Sequence, residues 1–466
     1  MSHKFEPSIL REYDIRGIVG ETLGAEDARA IGRSFATMLL NAGGTKIVVG
    51  YDGRISSPML EHALVEGILA SGCDVVRIGL SATPMLYYAQ AVMAGVGAGI
   101  QITGSHNPPN YNGFKMVFQG RPFFGSDIQA LGDLAMQGEW IDGLGTSEER
   151  LILGKYVDRI LEELSDVDPE YLGSLRVGWD AGNGSAGPAL ERLVEKIPGK
   201  HIVLFSEVDG SFPNHHPDPT VETNLKDLKN LIKDEELDFG IAFDGDGDRI
   251  GVVDGMGRII WGDQLLMIFA ADLLQRYPGA TIIADVKASQ ALFDQIVKLG
   301  GTPLMWKTGH SLIKTKMKQM DSPLAGEMSG HIFFADTYYG FDDALYAGIR
   351  LIAAGARLGK TITDLRGQLP DMTNTPEIRF QVEEERKFQK MAEIRARVLT
   401  SYDTVNEIDG VRVTNKDGWW LLRASNTQDV LVARAESSTP EGLNRLLEQI
   451  AEQLKLSGLA VTQITG

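Results

Sequence analysis

Short apolar, β-branched runs alternate with helix-spaced runs along most of this 466-residue chain. That alternation limits the folds open to it more than any other feature. KIVVG (46–50) reads as a buried strand. Ser57 then offers an N-cap and Pro58 a first-turn proline, and Leu60, Ala63, Leu64, Gly67 and Ile68 follow at helical spacing. DVVRIGL (74–80), the helical TPMLYYAQAVM and the strand AGIQIT repeat the grammar. Strand–helix–strand–helix–strand implies crossover connections, hence parallel pairing and a doubly wound α/β domain. The grammar returns in SLRVGWDA, a helix from Gly187, HIVLFSE, a helix near 224–234 and DFGIAFD. It returns again in a helix near 262–276, TIIADVK, a helix near 289–299 and TPLMWKTG. Three strands run into an acid, in GYDG, GWDA and AFDG, which suggests three related units.

The polar stretch QGEWIDGLGTSEER (137–150) marks a boundary, and the texture changes after GQLPDMTNTPE (367–377). EIRFQV, a helix near 384–399, the strands GVRVTN, GWWLLRAS and VLVARAES, and a helix near 440–455 read as a small α+β domain. The expected architecture is three related doubly wound α/β domains followed by a smaller α+β domain, around a central cleft. The expected spans are 1–150, 151–255, 256–368 and 369–466.

Several short stretches carry chemistry. GIQITGSHNPPNYNGFKM (99–116) puts Ser105 just past a strand's carboxyl end, where open α/β sheets place their ligands. In FDGDGDRIGVVD (243–254), Asp244, Asp246 and Asp248 alternate with glycines behind an apolar strand. Alternate residues share a side, and glycine lets the carboxylates converge. Such mutual repulsion favours a divalent cation, and oxygen-only ligation suits Mg²⁺ or Ca²⁺ over Zn²⁺. VGWDAGNGSAG competes with a G-x-G-x-x-G at Gly182, Gly184 and Gly187 and an acid, Glu207, closing the next strand 20 residues on; this is the dinucleotide fingerprint, or else a tight β–α turn. GARLGKT (355–361) is one residue short of a phosphate-binding loop and reads better as a helix end. His215, His216 and Asp218 in FPNHHPDP form either a metal loop or a rigid crossing between domains. AGEMSGH offers Glu327, Ser329 and His331 on alternate residues, a pattern able to hold a polyol. LLRASNTQD sets Arg423, Ser425, Asn426 and Thr427 at a strand end, the donors a phosphate monoester needs.

Composition narrows the partners. Lys and Arg number 45 against 63 Asp and Glu, a formal charge of −18. That opposes nucleic acid or an anionic membrane as a general partner, so an anionic substrate needs a local basic cluster. Cys73 is the single cysteine, which excludes an internal disulfide and reads as a small core residue. MSHKFEPSILREYD lacks a signal core, and no run approaches a membrane span; the expected location is the cytoplasm.

Together TGSHNP with Lys115 behind it, DGDGDR, GEMSGH and RASNT, in this order, resemble the α-D-phosphohexomutase family in its bacterial phosphomannomutase/phosphoglucomutase branch. The resemblance runs through all four expected domains. It implies that Ser105 carries a phosphoryl group, flanked by His106 and Lys115. It implies Mg²⁺ on Asp244, Asp246, Asp248 and a phospho-Ser105 oxygen, with Arg249 beside them. Glu327 and Ser329 would meet the sugar, and Arg423, Ser425, Asn426 and Thr427 the non-reacting phosphate. Tyr13 and Arg16 in EYDIRG, Lys287 in DVK and His310 in KTGH match further cleft positions. Gln428 departs from the family's pattern. The implied reaction interconverts hexose 1- and 6-phosphates of mannose or glucose through a 1,6-bisphosphate, with glucose 1,6-bisphosphate as activator and His331 or Lys115 as general base. Phosphoglucosamine mutase, a dinucleotide-binding enzyme and a non-catalytic phosphosugar-binding protein are the alternatives.

Overall fold

The structure is a computed structural model that describes residues 2–426 and 428–461. Four sheets follow one another along the chain: seven strands, five, four and six. In each of the first three, a central strand lies between two parallel neighbours: Lys46–Tyr51, Arg176–Asp180 and Thr281–Asp285. Helices cross over between the parallel strands, as the spacing predicts.

The parallel pairing reaches one edge of each sheet, at Ser147–Glu149, Lys200–Leu204 and Thr302–Trp306, but stops short of the other. In each of these sheets the last parallel strand turns straight back into an antiparallel partner. Ala98–Ile102 pairs with Tyr111–Phe118, Phe239–Phe243 with Ile250–Asp254, and Leu324–Gly326 with Ile332–Phe334. Too few residues separate these strands for a crossover helix, so only a hairpin can form. The loops 103–110, 244–249 and 327–331 therefore occupy equivalent places in three related sheets. The strands that end in equivalent acids also differ from the expected trio. Asp52, Asp180 and Asp285 close the three central strands, whereas Asp244 opens a hairpin loop. An acid after an apolar run looks the same in either place.

Other local expectations are corrected by single contacts. Ser57 lies inside helix Ser57–Ala70 rather than capping it; its hydroxyl donates to Asp52 Oδ1 at 2.6 Å. At the G-x-G-x-x-G, a Cβ on Gly187 would lie 2.0 Å from the Ser206 carbonyl oxygen, so close chain approach accounts for the glycine. Asp180 is held by His215 Nε2 at 3.0 Å, which gives that histidine a structural partner. Glu207 lies beyond strand Lys200–Leu204 and is exposed. GARLGKT does end a helix, Ala344–Leu358, with Gly359 at φ +62° as its left-handed terminus. Cys73 is buried, and burial pushes its thiol up to about 11. No helix among the described residues is long and apolar enough to cross a membrane.

The fourth sheet is antiparallel and carries helices Glu384–Ser401 and Pro440–Leu456. The second and third sheets share one hydrophobic core, in which helix Ala344–Leu358 packs on strands 239–243 and 250–254. Asp343 pins that helix. Its carboxylate accepts from Tyr346 N–H (2.9 Å) and from the buried hydroxyls of Tyr156 and Tyr338 (both 2.8 Å). Asp343→Ala removes a cap and strands two hydroxyls, and should lower stability in urea unfolding by about 2–4 kcal/mol. A change below about 0.5 kcal/mol, the range of ordinary surface substitutions, would contradict this account.

Candidate active site

The three hairpin loops converge at the carboxyl ends of their sheets. Ser105 Oγ donates to Asp244 Oδ2 at 2.9 Å and lies 3.1 Å from His106 Nδ1. Asp244 Oδ1 accepts the backbone N–H groups of Asp248 (3.0 Å) and Arg249 (3.1 Å), which tightens the second loop around it. Lys115, on the returning strand of the first hairpin, reaches across. Its Nζ donates to Asp246 Oδ2 at 2.7 Å and also to Asp248 Oδ2.

All three carboxylates are fully buried. Burial, reinforced by Asp246 and Asp248, pushes the Asp244 carboxyl well above its ordinary value. Burial disfavours the Lys115 ammonium, but Asp246 and Asp248 outweigh it and hold its pKa above normal. Lys115 likewise overcomes burial to hold Asp246 low. One ammonium against three carboxylates leaves negative charge in excess. Asp246 Oδ1 and Asp248 Oδ1 are buried without a hydrogen-bond partner, and one oxygen from each aspartate lies within 4.8 Å of the others. This all-oxygen set fits a hard divalent cation.

Cations surround the serine. Arg16 donates to the Gly104 carbonyl (3.3 Å), to Asn107 Oδ1 and to Asp14. Arg249 Nε donates to His331 Nε2 at 3.0 Å, and its Nη1 lies 3.4 Å from His106 Nε2. Arginine stays protonated, so His331 Nε2 is the acceptor and the neutral ring carries its proton on Nδ1. That nitrogen lies 3.2 Å from Asp342 Oδ2. Burial, then Arg249 and Arg16, pushes His106 well below its ordinary pKa.

Ser105, His106, Lys115, Arg16, Arg249, His331, Tyr13, His310 and Gln428 are among the residues that line one cavity of about 110 Å³. A larger cavity of about 1530 Å³ between the first and third domains includes neither Ser105 nor the aspartate loop. Tyr13 ties the remaining segments together: its hydroxyl donates to the Thr308 carbonyl (2.8 Å) and accepts from Asn426 Nδ2 (2.6 Å). His310 packs edge-on to Tyr13 and stacks on His331. Glu327 Oε1 accepts Gly309 N–H at 2.6 Å. Lys287 pairs with Glu377 (2.7 Å), Arg423 with Asp409 (2.9 Å), and Ser425 Oγ accepts Gln428 N–H (3.1 Å). Ser329 is half-buried, makes no hydrogen bond among the described residues and does not line the small cavity. Thr427 lies outside the described residues.

Asp14, Asn107, Asp342 and Asp409 join the site without having been singled out by their spacing. Asp14 and Asn107 lie within the quoted EYDIRG and TGSHNP segments. Asp342 also accepts from Lys314 Nζ at 2.8 Å, yet in GFDDALYAG it reads as one of two acids before a helix.

Comparison with known proteins agrees with the fold. Residues 7–140, 154–257 and 261–372 match the phosphoglucomutase/phosphomannomutase alpha/beta/alpha domains I, II and III, and residues 377–453 match the C-terminal domain. The chain belongs to the phosphoglucomutase/phosphomannomutase family. Within it, the Pseudomonas aeruginosa phosphomannomutase/phosphoglucomutase is 45% identical over 448 residues, 96% of each chain. A Neisseria meningitidis phosphoglucomutase is 42% identical over 95% of each. The crystal structure of a phosphoglucomutase/phosphomannomutase family protein from Burkholderia thailandensis has a TM-score of 0.90 at 43% identity, covering 97% of this chain and 98% of that one. An Aspergillus fumigatus N-acetylphosphoglucosamine mutase shares the fold alone, with a TM-score of 0.61 at 14% identity over 98% and 96% of the two chains.

In this family member, Lys115 is the cation that its own chain supplies to the aspartate loop. Lys115→Met should therefore destabilise the protein in chelator by about 3–5 kcal/mol, the cost of stranding buried charge. Adding a divalent cation should narrow that gap. A gap indifferent to divalent cations would break the link between lysine, triad and metal.

Proposed function

We propose that this chain is a phosphohexomutase that interconverts the 1- and 6-phosphates of glucose and mannose through phospho-Ser105 and a 1,6-bisphosphate. The observation that carries the reading is Ser105 Oγ, 2.9 Å from a buried aspartate and enclosed by Lys115, Arg16 and Arg249. Phosphoryl transfer needs positioning and charge neutralisation more than covalent help. Asp244, Asp246 and Asp248 would hold Mg²⁺, which when bound supplies positive charge to the transferring oxygens.

In the first half-reaction the bond from phosphorus to Ser105 Oγ breaks and a bond to the sugar hydroxyl forms. The hydroxyl's proton passes to His331, whose Nε2 lone pair is held by Arg249 in this structure; Arg249 releases it by turning to the phosphoryl group. Lys115, kept protonated by Asp246 and Asp248, returns a proton to Ser105 Oγ. The bisphosphate then turns end for end and gives its other phosphoryl group back to Ser105. Asn426, Ser425, Thr427 and Arg423 would grip the phosphate that is not reacting, and Glu327, Ser329, Lys287 and His310 the sugar. Asp409, now on Arg423, holds the guanidinium ready for that phosphate. Glucose 1,6-bisphosphate would restore phospho-Ser105 whenever it is lost.

Enzyme incubated with glucose 1,6-bisphosphate should gain one phosphate, mapped by mass to the Ser105 peptide, and Ser105→Ala should abolish turnover. Chelation should stop turnover and Mg²⁺ restore it. Full activity in Ser105→Ala would end this reading.

Glucose and mannose differ at one hydroxyl, and one lost contact typically changes rate about 10- to 100-fold. Glucose and mannose 1-phosphates should therefore turn over within about two orders of magnitude of each other, and N-acetylglucosamine 1-phosphate far more slowly. Glu327→Gln should depress both hexose activities together. Glucosamine 1-phosphate as best substrate would move the chain to another branch.

A further inference from the structure

Ser105 has a backbone φ of +48°, a left-handed conformation that strains a residue with a side chain. Strain of this kind persists only where the surroundings over-determine it, and here the surroundings centre on one side chain that no motif contains. Arg54 is 1% exposed, and its guanidinium lies beneath the 103–110 loop. Nη2 donates to the Ser105 carbonyl at 2.8 Å and the Asn107 carbonyl at 2.7 Å; Nη1 donates to Pro108 (2.6 Å) and Tyr111 (2.9 Å). The last donor, Nε, goes to Asp52 Oδ2 at 3.2 Å. All five guanidinium N–H groups are thus used, three of them on loop carbonyls and one on the first carbonyl of the returning strand.

The anchor is itself held. Asp52 Oδ1 accepts from Arg54 N–H and from Ser57 Oγ, and Asp52 Oδ2 accepts Gly104 N–H at 3.1 Å. The Phe212 ring lies 5.4 Å from Arg54 Cζ. A Cβ on Gly104 would fall 2.4 Å from Arg54 Cζ, so only glycine lets the guanidinium sit so near the chain. From the other side, a Cβ on Gly245 of the metal loop would meet the Ser105 carbonyl oxygen at 2.5 Å. The Ser105 peptide is wedged between Arg54 and the aspartate loop, and the wedge directs Oγ at Asp244.

We infer that Arg54 is a positioning residue for phosphoryl transfer: by clamping three carbonyls of the serine loop and that of Tyr111 just beyond it, it holds Ser105 in the strained conformation that aims Oγ at the aspartate cluster. This rests on the reading of Ser105 as phosphoryl carrier. Arg54 touches neither sugar nor phosphate in that reading, so its loss should slow the chemical step and leave sugar-phosphate recognition in place.

The test compares wild type, Arg54→Met, Arg54→Lys and Gly104→Ala. Single-turnover phosphorylation of Ser105 by glucose 1,6-bisphosphate is followed by intact mass. Steady-state kcat and KM for glucose 1-phosphate are normalised to the folded fraction from near-ultraviolet circular dichroism. Arg54→Met should lower both kcat and the phosphorylation rate by about 100-fold, the loss expected from misplacing a reacting atom by an ångström. KM should stay within about threefold of wild type, because binding common to ground and transition states is untouched. Arg54→Lys, with three donors for four carbonyls, should fall between. Gly104→Ala keeps Arg54 but displaces its guanidinium; it should show the same split, and it decides the matter if Arg54→Met does not fold. Wild-type phosphorylation rates per folded molecule in Arg54→Met or Gly104→Ala, or a raised KM at unchanged kcat, would overturn the inference. A phosphorylated wild type alongside unaffected variants overturns Arg54's role alone. A wild type that takes no phosphate at Ser105 overturns the carrier reading and this inference with it.

Discussion

Three carboxylates with no access to water face one ammonium group across a domain boundary, and much of the structure is arranged around that imbalance. Asp244, Asp246 and Asp248 come from one hairpin loop and Lys115 from the strand of another. Buried charges interact far more strongly than exposed ones and carry a large desolvation cost when left unpaired. The first and second domains are therefore joined at the site by charge as well as by packing. Thr83 adds to the joint by donating its hydroxyl to Asp246. The same imbalance gives a cation and a dianionic phosphoryl group a reason to enter together, since each offsets what the other brings.

The geometry reaches that point through repetition. Three related sheets each present a hairpin loop at the carboxyl end of their parallel strands, and each loop bears a different chemistry. The first holds a serine hydroxyl, the second an acidic cluster, and the third an imidazole and a carboxylate. Asp52 and Asp285, at the ends of equivalent central strands, each accept a backbone N–H from the neighbouring hairpin loop, of Gly104 and of Met328. The acid that closes the strand thereby helps to shape the loop beside it. The C-terminal domain adds the fourth wall through Asn426 on Tyr13 and through Asp409, which accepts Thr308 N–H at 3.1 Å.

The secondary structure and its alternation were legible in the chain, because a strand's apolar run and a helix's spacing are local properties. The motifs were legible for the same reason: Ser105 with Lys115, the aspartate triad, GEMSGH and RASNT each lie within a few residues. Less legible was what a single residue's partner would be. Ser57 looked like a cap because it precedes a proline, yet a buried aspartate five residues earlier takes its hydroxyl. His215 and His216 looked alike, but only His215 lies against Asp180.

The sequence by itself determined the crossover pattern, the clustering of carboxylates and the position of the serine, all of which follow from spacing along one strand or turn. Only the tertiary structure decided that the three sheets end in antiparallel hairpins whose loops are equivalent. It alone brought Asp342 to His331, and Arg54 beneath a loop some fifty residues away. Those contacts depend on how sheets twist and domains pack. Such long-range geometry leaves no periodicity in the chain, because a buried arginine and the carbonyls it binds need share no spacing.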